Sequence, residues 1–430
     1  MKKILLILFI ISFYFVSLVI FGSIVKHVSH KGPLSNNLIA KIIYNISNIP
    51  SNLKTNIFGG NLSIQRKSQL PLVSKKKGLY IYQNENKKEY ILVSKYFLDE
   101  SVFKLQLIDI LENSIIHTWP HKQFSKKLTG EGGPGRYTFE HSMLLENGDA
   151  LITTGGGPIL RVDPCGKKIW ENDLITHHSI EVDSSKNIWT PIYLNDEKKI
   201  HGQILQYHDG IANIDIKNGN TIYTKSLVEI LIENNLFDLI GNSYIGKDPL
   251  HLNDIEPVLN DGPYWKKDDL FLSLRNISLI ILYRPSTNKI IWYKSGPWRH
   301  QHDVDILSDT KIGIFNNNTE LNLKNVNKNS EIITYDLRDK SIEKIFETAF
   351  KKHKIRTYYE GLFEKINDSS VYIEEQENGR IIKADDEGAI IWEYVWDAQV
   401  KWSRFYNSLN FKKIGELEKS IDIIKNRTCE

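Results

Sequence analysis

Short runs of β-branched and aromatic residues, separated by turn clusters, dominate the chain from Gly78 onward. The runs GLYIYQ, KEYILVSKYF and VFKLQLIDI have the length and alternation of β-strands. The next segment, HSMLLENGDALITTGGGPILRVDPCGKKIW, links strands through Asn-Gly, glycine and Cys-Gly turns and closes on Trp170. The end of this scheme recurs in segments that close on Trp292 and Trp392. This repeat is typical of propeller blades, and we expect an all-β propeller of about six four-stranded blades.

An uninterrupted apolar run occupies residues 4–25 and contains no charged residue. A helix of this length crosses the roughly 30 Å hydrocarbon layer of a bilayer. Because Lys2 and Lys3 precede it, the positive-inside rule predicts a cytoplasmic N-terminus and a periplasmic, or otherwise extracytoplasmic, remainder. A cleaved signal peptide is the alternative, although the run is long for one and no clear Ala-x-Ala site follows it. We therefore expect an uncleaved single-pass membrane anchor.

Composition and patterning predict four regions along the chain. The anchor or signal covers residues 1–27, a polar stalk 28–77, the propeller 78–396 and a charged tail 397–430. Inside the propeller, residues 226–244 carry apolar side chains at helical spacing, which predicts a short helical insertion between blades.

The net charge limits the classes of binding partner, and the two cysteines bear on the compartment of the protein. A formal net charge of +3 over 430 residues argues against a nucleic-acid binder, which must neutralise many phosphates. Cys165 and Cys429 either pair in an oxidising compartment or remain separate thiols. The oligomeric state stays open, with a homodimer among the options.

Several histidines stand at matching places in the repeat. In a propeller the innermost strand of each blade begins at one rim of the channel, so such residues converge although they are distant in sequence. Each one alone is more often a rim residue satisfied by the backbone. Arg275 lies in an otherwise apolar strand, and a buried guanidinium needs a carboxylate or an anionic ligand. The candidate residues are His177, His178, His251, Asn253, Arg275, His300 and His302.

The ordered segments CGKKIW, THHSIEVD, HLNDIE, LSLRNISLIILY and GPWRHQHDVDIL resemble successive landmarks of the arylsulfotransferase family. The resemblance runs over residues 139–394. It implies an extracytoplasmic β-propeller enzyme that moves a sulfuryl group from a phenolic sulfate ester to a phenol, without a nucleotide sulfate donor. The stretches between landmarks are shorter than in the better-known bacterial enzymes, and a stalk replaces the usual N-terminal β domain.

The resemblance also implies residue roles. His302 would take the sulfuryl group, with His251 and Asn253 beside it. Arg275 would bind the sulfate, and one of His177 and His178 would supply the remaining histidine. His300 is the reserve nucleophile, since it is two residues from His302 and on the same face of a strand.

The implied chemistry suits these residues. A neutral imidazole is a good nucleophile near neutral pH and can form a covalent sulfohistidine, which gives a ping-pong mechanism. Arg275 and Asn253 can hold the sulfuryl oxygens, and His251 or His178 can exchange protons with the phenol. No cofactor is required.

Two other hypotheses remain. Convergent histidines could instead hold a metal, although a guanidinium beside them would repel a cation. The chain could also be a non-catalytic propeller scaffold, in which case its rim histidines should not face one another.

Overall fold

The computed structural model describes residues 2–29, 37–47, 77–97, 102–119, 139–194, 198–200, 203–205, 208–241, 249–319, 329–396 and 400–429. The chain divides into two compact units, Met1–Ser63 and Ile64–Glu430. Most of the predicted stalk lies outside the described residues.

The first unit contains helices α1 (Lys2–Ser29) and α2 (Leu38–Ser47). The segment Phe9–Lys26 of α1 is long and apolar enough to cross a membrane. A signal sequence near the N-terminus can also satisfy these criteria of length and composition, so the helix agrees with both interpretations of the sequence.

The second unit is built almost entirely of antiparallel strands. Its strands are β1 (Gly78–Ile81), β2 (Tyr90–Phe97), β3 (Val102–Asp109), β4 (Ser114–Trp119), β5 (Phe139–Leu144), β6 (Ala150–Thr154), β7 (Gly157–Val162), β8 (Lys168–Thr176), β9 (Glu181–Val182), β10 (Ile188–Leu194), β11 (Lys198–Ile200), β12 (Gln203–Leu205), β13 (His208–Ile214), β14 (Thr221–Ser226), β15 (Leu252–Pro257), β16 (Leu270–Leu274), β17 (Leu279–Arg284), β18 (Lys289–Ser295), β19 (Val304–Ile306), β20 (Lys311–Asn316), β21 (Glu331–Asp336), β22 (Ile342–Ile345), β23 (Leu362–Asn367), β24 (Ser370–Glu375), β25 (Arg380–Asp385), β26 (Ile390–Val395) and β27 (Val400–Tyr406).

In the described part of this unit, short α-helices accompany the strands: α3 (Leu227–Glu233), α4 (Phe237–Gly241), α5 (Glu347–Lys352) and α6 (Leu417–Asn426). The predicted helical insertion is present as α3 and α4. Its first helix begins at Ser226, whose hydroxyl accepts a hydrogen bond from the Glu229 backbone N–H, as an N-cap residue should.

The sheets form a propeller, but their division differs from the prediction. Four of them are separate blades of four or five strands: β2–β4 with β27, β15–β18, β19–β22, and β23–β26 with β1. An eight-stranded sheet contains β5–β10, β13 and β14, while β11 and β12 pair separately. The eight strands are joined because β8 pairs with β10, Thr176 opposite Ile192 and Ile175 opposite Tyr193. The expectation of about six separate blades is therefore not supported.

The C-terminal segment closes the propeller. Strand β27 pairs with β2, and β1 pairs with β26, so strands from both ends of the unit share sheets. The predicted tail, residues 397–430, therefore supplies a blade strand. Its aromatic residues Trp402 and Phe405 are buried in the core. Cys165 and Cys429 form a disulfide, with Cα atoms 5.4 Å apart.

Hydrogen bonds join neighbouring blades along their inner edges. They place the innermost strands side by side around one channel. The Asp254 Oδ2 atom accepts from the Val304 N–H at 3.0 Å, and the Asp303 Oδ2 atom accepts from the Phe363 N–H at 3.1 Å. Other bonds continue the series. Glu374, on β24 beside β23, accepts from the Trp402 and Ser403 N–H groups. The Tyr406 hydroxyl accepts from Leu144, the His141 ring from Ile180 and the Ser179 hydroxyl from Ile255. The series runs through β15, β19, β23, β27, β5 and β9 and returns to β15. We call these six the inner strands.

Candidate functional site

The backbone enters the left-handed region at several positions within the inner strands or a few residues before them. The φ angles of His178, His251 and His300 are 57°, 57° and 48°, and that of His141 is 35°. Trp402, within β27, has a φ of 44°. Residues with a Cβ atom adopt this region at a cost, and such positions concentrate at functional sites. The surrounding structure must therefore hold the backbone in place at these positions.

Three of the candidate histidines lie together in space. The ring centroid of His178 is 5.0 Å from that of His251 and 5.7 Å from that of His302. The Trp402 ring packs against this group, 4.5 Å from His302 and 5.5 Å from His178. His302 is fully buried, whereas His178 and His251 are half-buried. We call His178, His251 and His302 the histidine cluster.

His177 lies behind His178 and is buried. Its Nδ1 atom is 2.7 Å from the Nδ1 atom of His178, and its Nε2 atom is 3.4 Å from Oδ1 of Asp209. The ring stacks on Tyr193 with centroids 3.9 Å apart. His178 thus contacts the other histidines of the cluster directly, while His177 supports it from the side of Asp209.

Arg275 is 9% exposed and borders the cluster through its backbone. It begins a 3₁₀ helix, Arg275–Ile277, and its N–H donates to the His251 carbonyl at 3.0 Å. The guanidinium lies over the Tyr359 ring, 5.2 Å from its centroid, and donates to the Asn276 side chain at 3.0 Å. The Arg275 backbone is therefore bonded to His251, and its positive charge acts on the neighbouring His300.

His300 lies on the arginine side of the site. Its Nδ1 atom is 3.4 Å from the Thr319 hydroxyl. Burial, together with the positive charge of Arg275, lowers the pKa of His300 to about 4. Its imidazole is therefore neutral at neutral pH.

Asn253 occupies in one blade the place that His302 occupies in the next. The segments HLND and HQHD end in Asp254 and Asp303, which accept equivalent bonds from the following inner strands. Both Asn253 and His302 have no solvent exposure. The Asn253 amide donates to the Gln301 carbonyl at 3.1 Å, and its buried Oδ1 atom accepts no hydrogen bond from the part of the chain that is described.

Sequence reasoning missed two residues of this site. Trp402 lies in the predicted tail, where no pattern marks it as a channel residue. Asp209 follows a histidine in the segment YHDGIANI, where it resembles an ordinary turn residue. Only the closure of the propeller brings them to the histidines, although the strand-like alternation of VKWSRFY was a usable signal for Trp402.

A second polar region lies further along the same inner strands. The carboxylate section, as we call it, is Glu181, Glu256, Asp305 and Glu364, and it borders a cavity of about 230 Å³. These residues follow His178, His251 and His302 on β9, β15 and β19, and Glu364 lies on β23. His141 also borders this cavity and packs on Trp402 with ring centroids 5.0 Å apart. Trp402 therefore contacts residues of both regions.

Two cations from the C-terminal segment meet the carboxylate section. Glu181 is 3.0 Å from an Arg404 guanidinium nitrogen and 3.1 Å from the Lys413 ammonium. Burial alone would raise the pKa of Glu181, but these two charges lower it to about 2. Burial raises the pKa values of Glu256 and Asp305 well above the usual range.

The geometry of the described residues does not favour the metal hypothesis. Within those ranges, no group of three or more His, Cys, Asp or Glu side chains is arranged to hold a metal ion. In the histidine cluster, the nearby guanidinium of Arg275 also disfavours a cation.

The molecule is therefore a β-propeller whose inner strands bring distant histidines together beside a buried arginine. The family model for arylsulfotransferase (ASST) matches residues 140–397, which is more than half of the chain. The protein belongs to the arylsulfotransferase family, which confirms the resemblance seen in the sequence. The family implies a sulfotransferase with small-molecule substrates.

Solved structures with low sequence identity are also similar to this chain. A protein of unknown function from Bacteroides caccae has 10% identity and a TM-score of 0.47, over 72% of this chain and 94% of that chain. A catalytically inactive virginiamycin B lyase from Staphylococcus aureus, with quinupristin, has 15% identity and a TM-score of 0.36, over 61% of this chain and 71% of that chain. The β-propeller domain of Cps50 (Swd1) from Myceliophteria thermophila has 8% identity and a TM-score of 0.41, over 75% and 87%. The comparison with curated proteins gave no match.

Proposed function

We propose that this protein transfers a sulfuryl group from a phenolic sulfate ester to a phenol by a ping-pong mechanism, through a covalent intermediate on His302. The observation that supports this proposal is the convergence of three histidine rings beside the buried Arg275. The family membership indicates the class of reaction, and the geometry suggests the role of each residue in it.

In the first step a ring nitrogen of His302 bonds to sulfur while the bond from sulfur to the phenolic oxygen breaks. The departing phenoxide takes a proton from a neighbouring histidine, His178 or His251. In the second step that histidine removes the proton of the acceptor phenol. The acceptor oxygen then bonds to sulfur, the sulfur–nitrogen bond breaks, and the His302 imidazole is restored.

Arg275 and Asn253 are proposed to hold the sulfuryl oxygens. Their negative charge grows as the phenoxide leaves, and a guanidinium in a water-poor site stabilises it strongly. Because His178 and His251 are half-buried and His302 is fully buried, we propose that substrates approach His302 past the first two rings. His300, which is neutral near neutral pH, remains the reserve nucleophile.

The scaffold hypothesis is less well supported. It expects rim histidines that do not face one another, whereas the His178 ring lies within 5.7 Å of His302 and 5.0 Å of His251. The left-handed backbone at three of the candidate histidines also favours a functional site over a non-catalytic scaffold.

The test is turnover of 4-nitrophenyl sulfate with a phenol acceptor by the full-length protein in detergent, with nitrophenol release as the readout. We expect His302→Ala to abolish turnover, and donor alone to add the mass of one SO₃ group to the wild type. His353→Ala is the matched control, because the His353 ring bonds to the Gly388 carbonyl at 2.8 Å, outside the cluster. Turnover that persists in His302→Ala and disappears in His300→Ala would move the intermediate to His300, and a wild type without turnover would contradict the proposed function.

We also propose that α1 remains as a membrane anchor and that the propeller lies outside the cytoplasm. The Cys165–Cys429 disulfide supports an oxidising compartment, and Lys2 and Lys3 before the apolar run support a cytoplasmic N-terminus. Membrane fractionation and protease protection of spheroplasts test both points. Protein released from the membrane by salt, or a propeller protected in intact spheroplasts, would contradict the proposal.

A further inference from the structure

A chain of polar side chains lies behind His178. Its Nδ1 atom meets Nδ1 of His177 at 2.7 Å, with the two rings nearly perpendicular. At this distance one nitrogen must carry a proton and the other must present its lone pair. The tautomer of His177 therefore decides the tautomer of His178.

Asp209 stands at the other end of His177. Its Oδ1 atom is 3.4 Å from Nε2 of His177, an electrostatic contact without a hydrogen bond between the two atoms, and its Oδ2 atom accepts the Leu252 N–H at 3.1 Å. Both side chains are 2% exposed, so little water screens the interaction. A carboxylate in this place favours the proton on Nε2 of His177 and leaves Nδ1 as the acceptor.

The His177 ring cannot easily turn away from this arrangement. Its face stacks on Tyr193 at 3.9 Å with an angle of 19° between the planes. The His177 N–H also donates to the Pro191 carbonyl at 3.1 Å. Ring and backbone are thus both fixed against β10.

We propose that Asp209 and His177 are positioning residues that prepare His178 to act as a proton-transfer residue of the site. With Nε2 of His177 protonated toward Asp209, His178 donates from Nδ1 and presents its Nε2 lone pair to the substrate side. This inference rests on the proposed sulfuryl transfer and adds the assignment of its acid and base. When Nε2 of His178 takes the proton of the acceptor phenol, the resulting positive charge is stabilised through His177 by Asp209. The same Nε2–H then protonates the phenoxide that leaves the next donor, so protons balance over one cycle.

The inference predicts that loss of Asp209 depends on the leaving group. Asp209→Asn keeps an oxygen for the Leu252 N–H but presents an amide N–H to His177, which reverses both tautomers. A poor leaving group needs its proton in the transition state, whereas nitrophenoxide needs it much less. We expect Asp209→Asn to lower turnover of phenyl sulfate by about 10²- to 10⁴-fold, and turnover of 4-nitrophenyl sulfate by about tenfold or less.

Three further variants complete the experiment. Asp209→Glu should restore part of the phenyl sulfate activity, because the carboxylate returns. His177→Gln removes the relay from a different position and should reproduce the leaving-group dependence, also in case Asp209→Asn does not fold. Asp309→Asn is the matched control, since Asp309 is exposed in the turn before β20, and it should leave both activities unchanged.

The result that would overturn the inference is an equal loss with both donors, or no loss, in folded Asp209→Asn and His177→Gln. Either outcome presupposes a wild type that turns over 4-nitrophenyl sulfate. A wild type that turns over neither donor would instead contradict the sulfuryl transfer itself, so the two failures are distinguishable.

Discussion

The histidine cluster and the carboxylate section lie on the same inner strands, yet their charges are met in different ways. In the carboxylate section, Arg404 and Lys413 stand at 3.0 and 3.1 Å from Glu181, so the negative charge is compensated within the protein. In the histidine cluster the His178 ring contacts the rings of His251 and His302, and the Arg275 guanidinium lies over the Tyr359 ring.

This difference suggests that the two regions of the channel have different roles. Arg404 lies on β27 and Lys413 follows it, so the ion pairs of Glu181 bind the closing strand to β9. The carboxylate section therefore serves closure of the propeller. We expect the geometry of the histidine cluster to serve a ligand instead. The comparison holds if substitutions in one region change stability and those in the other change turnover.

The largest expected effect is on stability, in the carboxylate section. Arg404→Met removes one of the two cations that meet the buried Glu181, and breaking a buried ion pair costs about 3–5 kcal/mol. The guanidinium also donates to the Ser142 carbonyl at 3.1 Å, and that bond is lost too. We expect the free energy of unfolding in urea to fall by about this amount.

Arg338→Met is the control for this experiment. Arg338 also pairs with a carboxylate, Asp336, but its side chain is 64% exposed. An exposed pair contributes about 0–1 kcal/mol. If the two variants unfolded at the same urea concentration, the proposal that the carboxylate section stabilises the closed propeller would be wrong.

A smaller effect, on turnover alone, is expected in the histidine cluster. Arg275→Met removes the charge proposed to hold the sulfuryl oxygens, and loss of one such donor lowers turnover by about 10²- to 10³-fold. Arg275→Lys should recover only part of this activity, because an ammonium lacks the paired donors of a guanidinium. Turnover is measured with 4-nitrophenyl sulfate, and urea unfolding verifies that the fold is retained.

Arg299→Met is the matched control here, since Arg299 is an exposed arginine close in sequence to His302. It should keep wild-type turnover. Equal losses in Arg275→Met and Arg299→Met would show a general electrostatic effect in place of a specific sulfate contact.

The propeller and its histidines were accessible from sequence because local patterns carry them. Alternating strands, Asn-Gly turns and the family segments predicted the blades, and Gly148 indeed takes a φ of 79° in such a turn. The family resemblance also led to His178, His251 and His302, which lie together. Local sequence contains these signals because strand alternation and turn chemistry act over a few residues.

What could not be predicted depends on contacts between distant segments. Two residue pairs between β8 and β10 merge strands that the repeat would separate, and no local pattern encodes them. The pairing of Cys165 with Cys429 and the place of Trp402 both depend on the closing strand β27. Asp209 becomes informative only once His177 is known to lie 3.4 Å away. Sequence thus located the nucleophile candidates, whereas the residues behind them required the closed ring.

The smallest expected effect concerns how stability varies with pH, and it tests whether the bonds between inner strands involve protonated carboxyls. Burial raises the pKa of Asp254 from 3.8 to about 7. As pH rises through this interval the unfolded state ionises first, so Asp254 makes the folded state progressively less favourable until its own pKa is passed. The slope from this group is at most about 1.4 kcal/mol per pH unit.

Asp254→Asn cannot ionise but keeps an oxygen for the Val304 N–H, so we expect a shallower fall of the unfolding free energy between about pH 4 and pH 7. Asp309→Asn should keep the wild-type slope, and an Asp254→Asn slope equal to that of the wild type would mean that Asp254 is ionised in the folded channel.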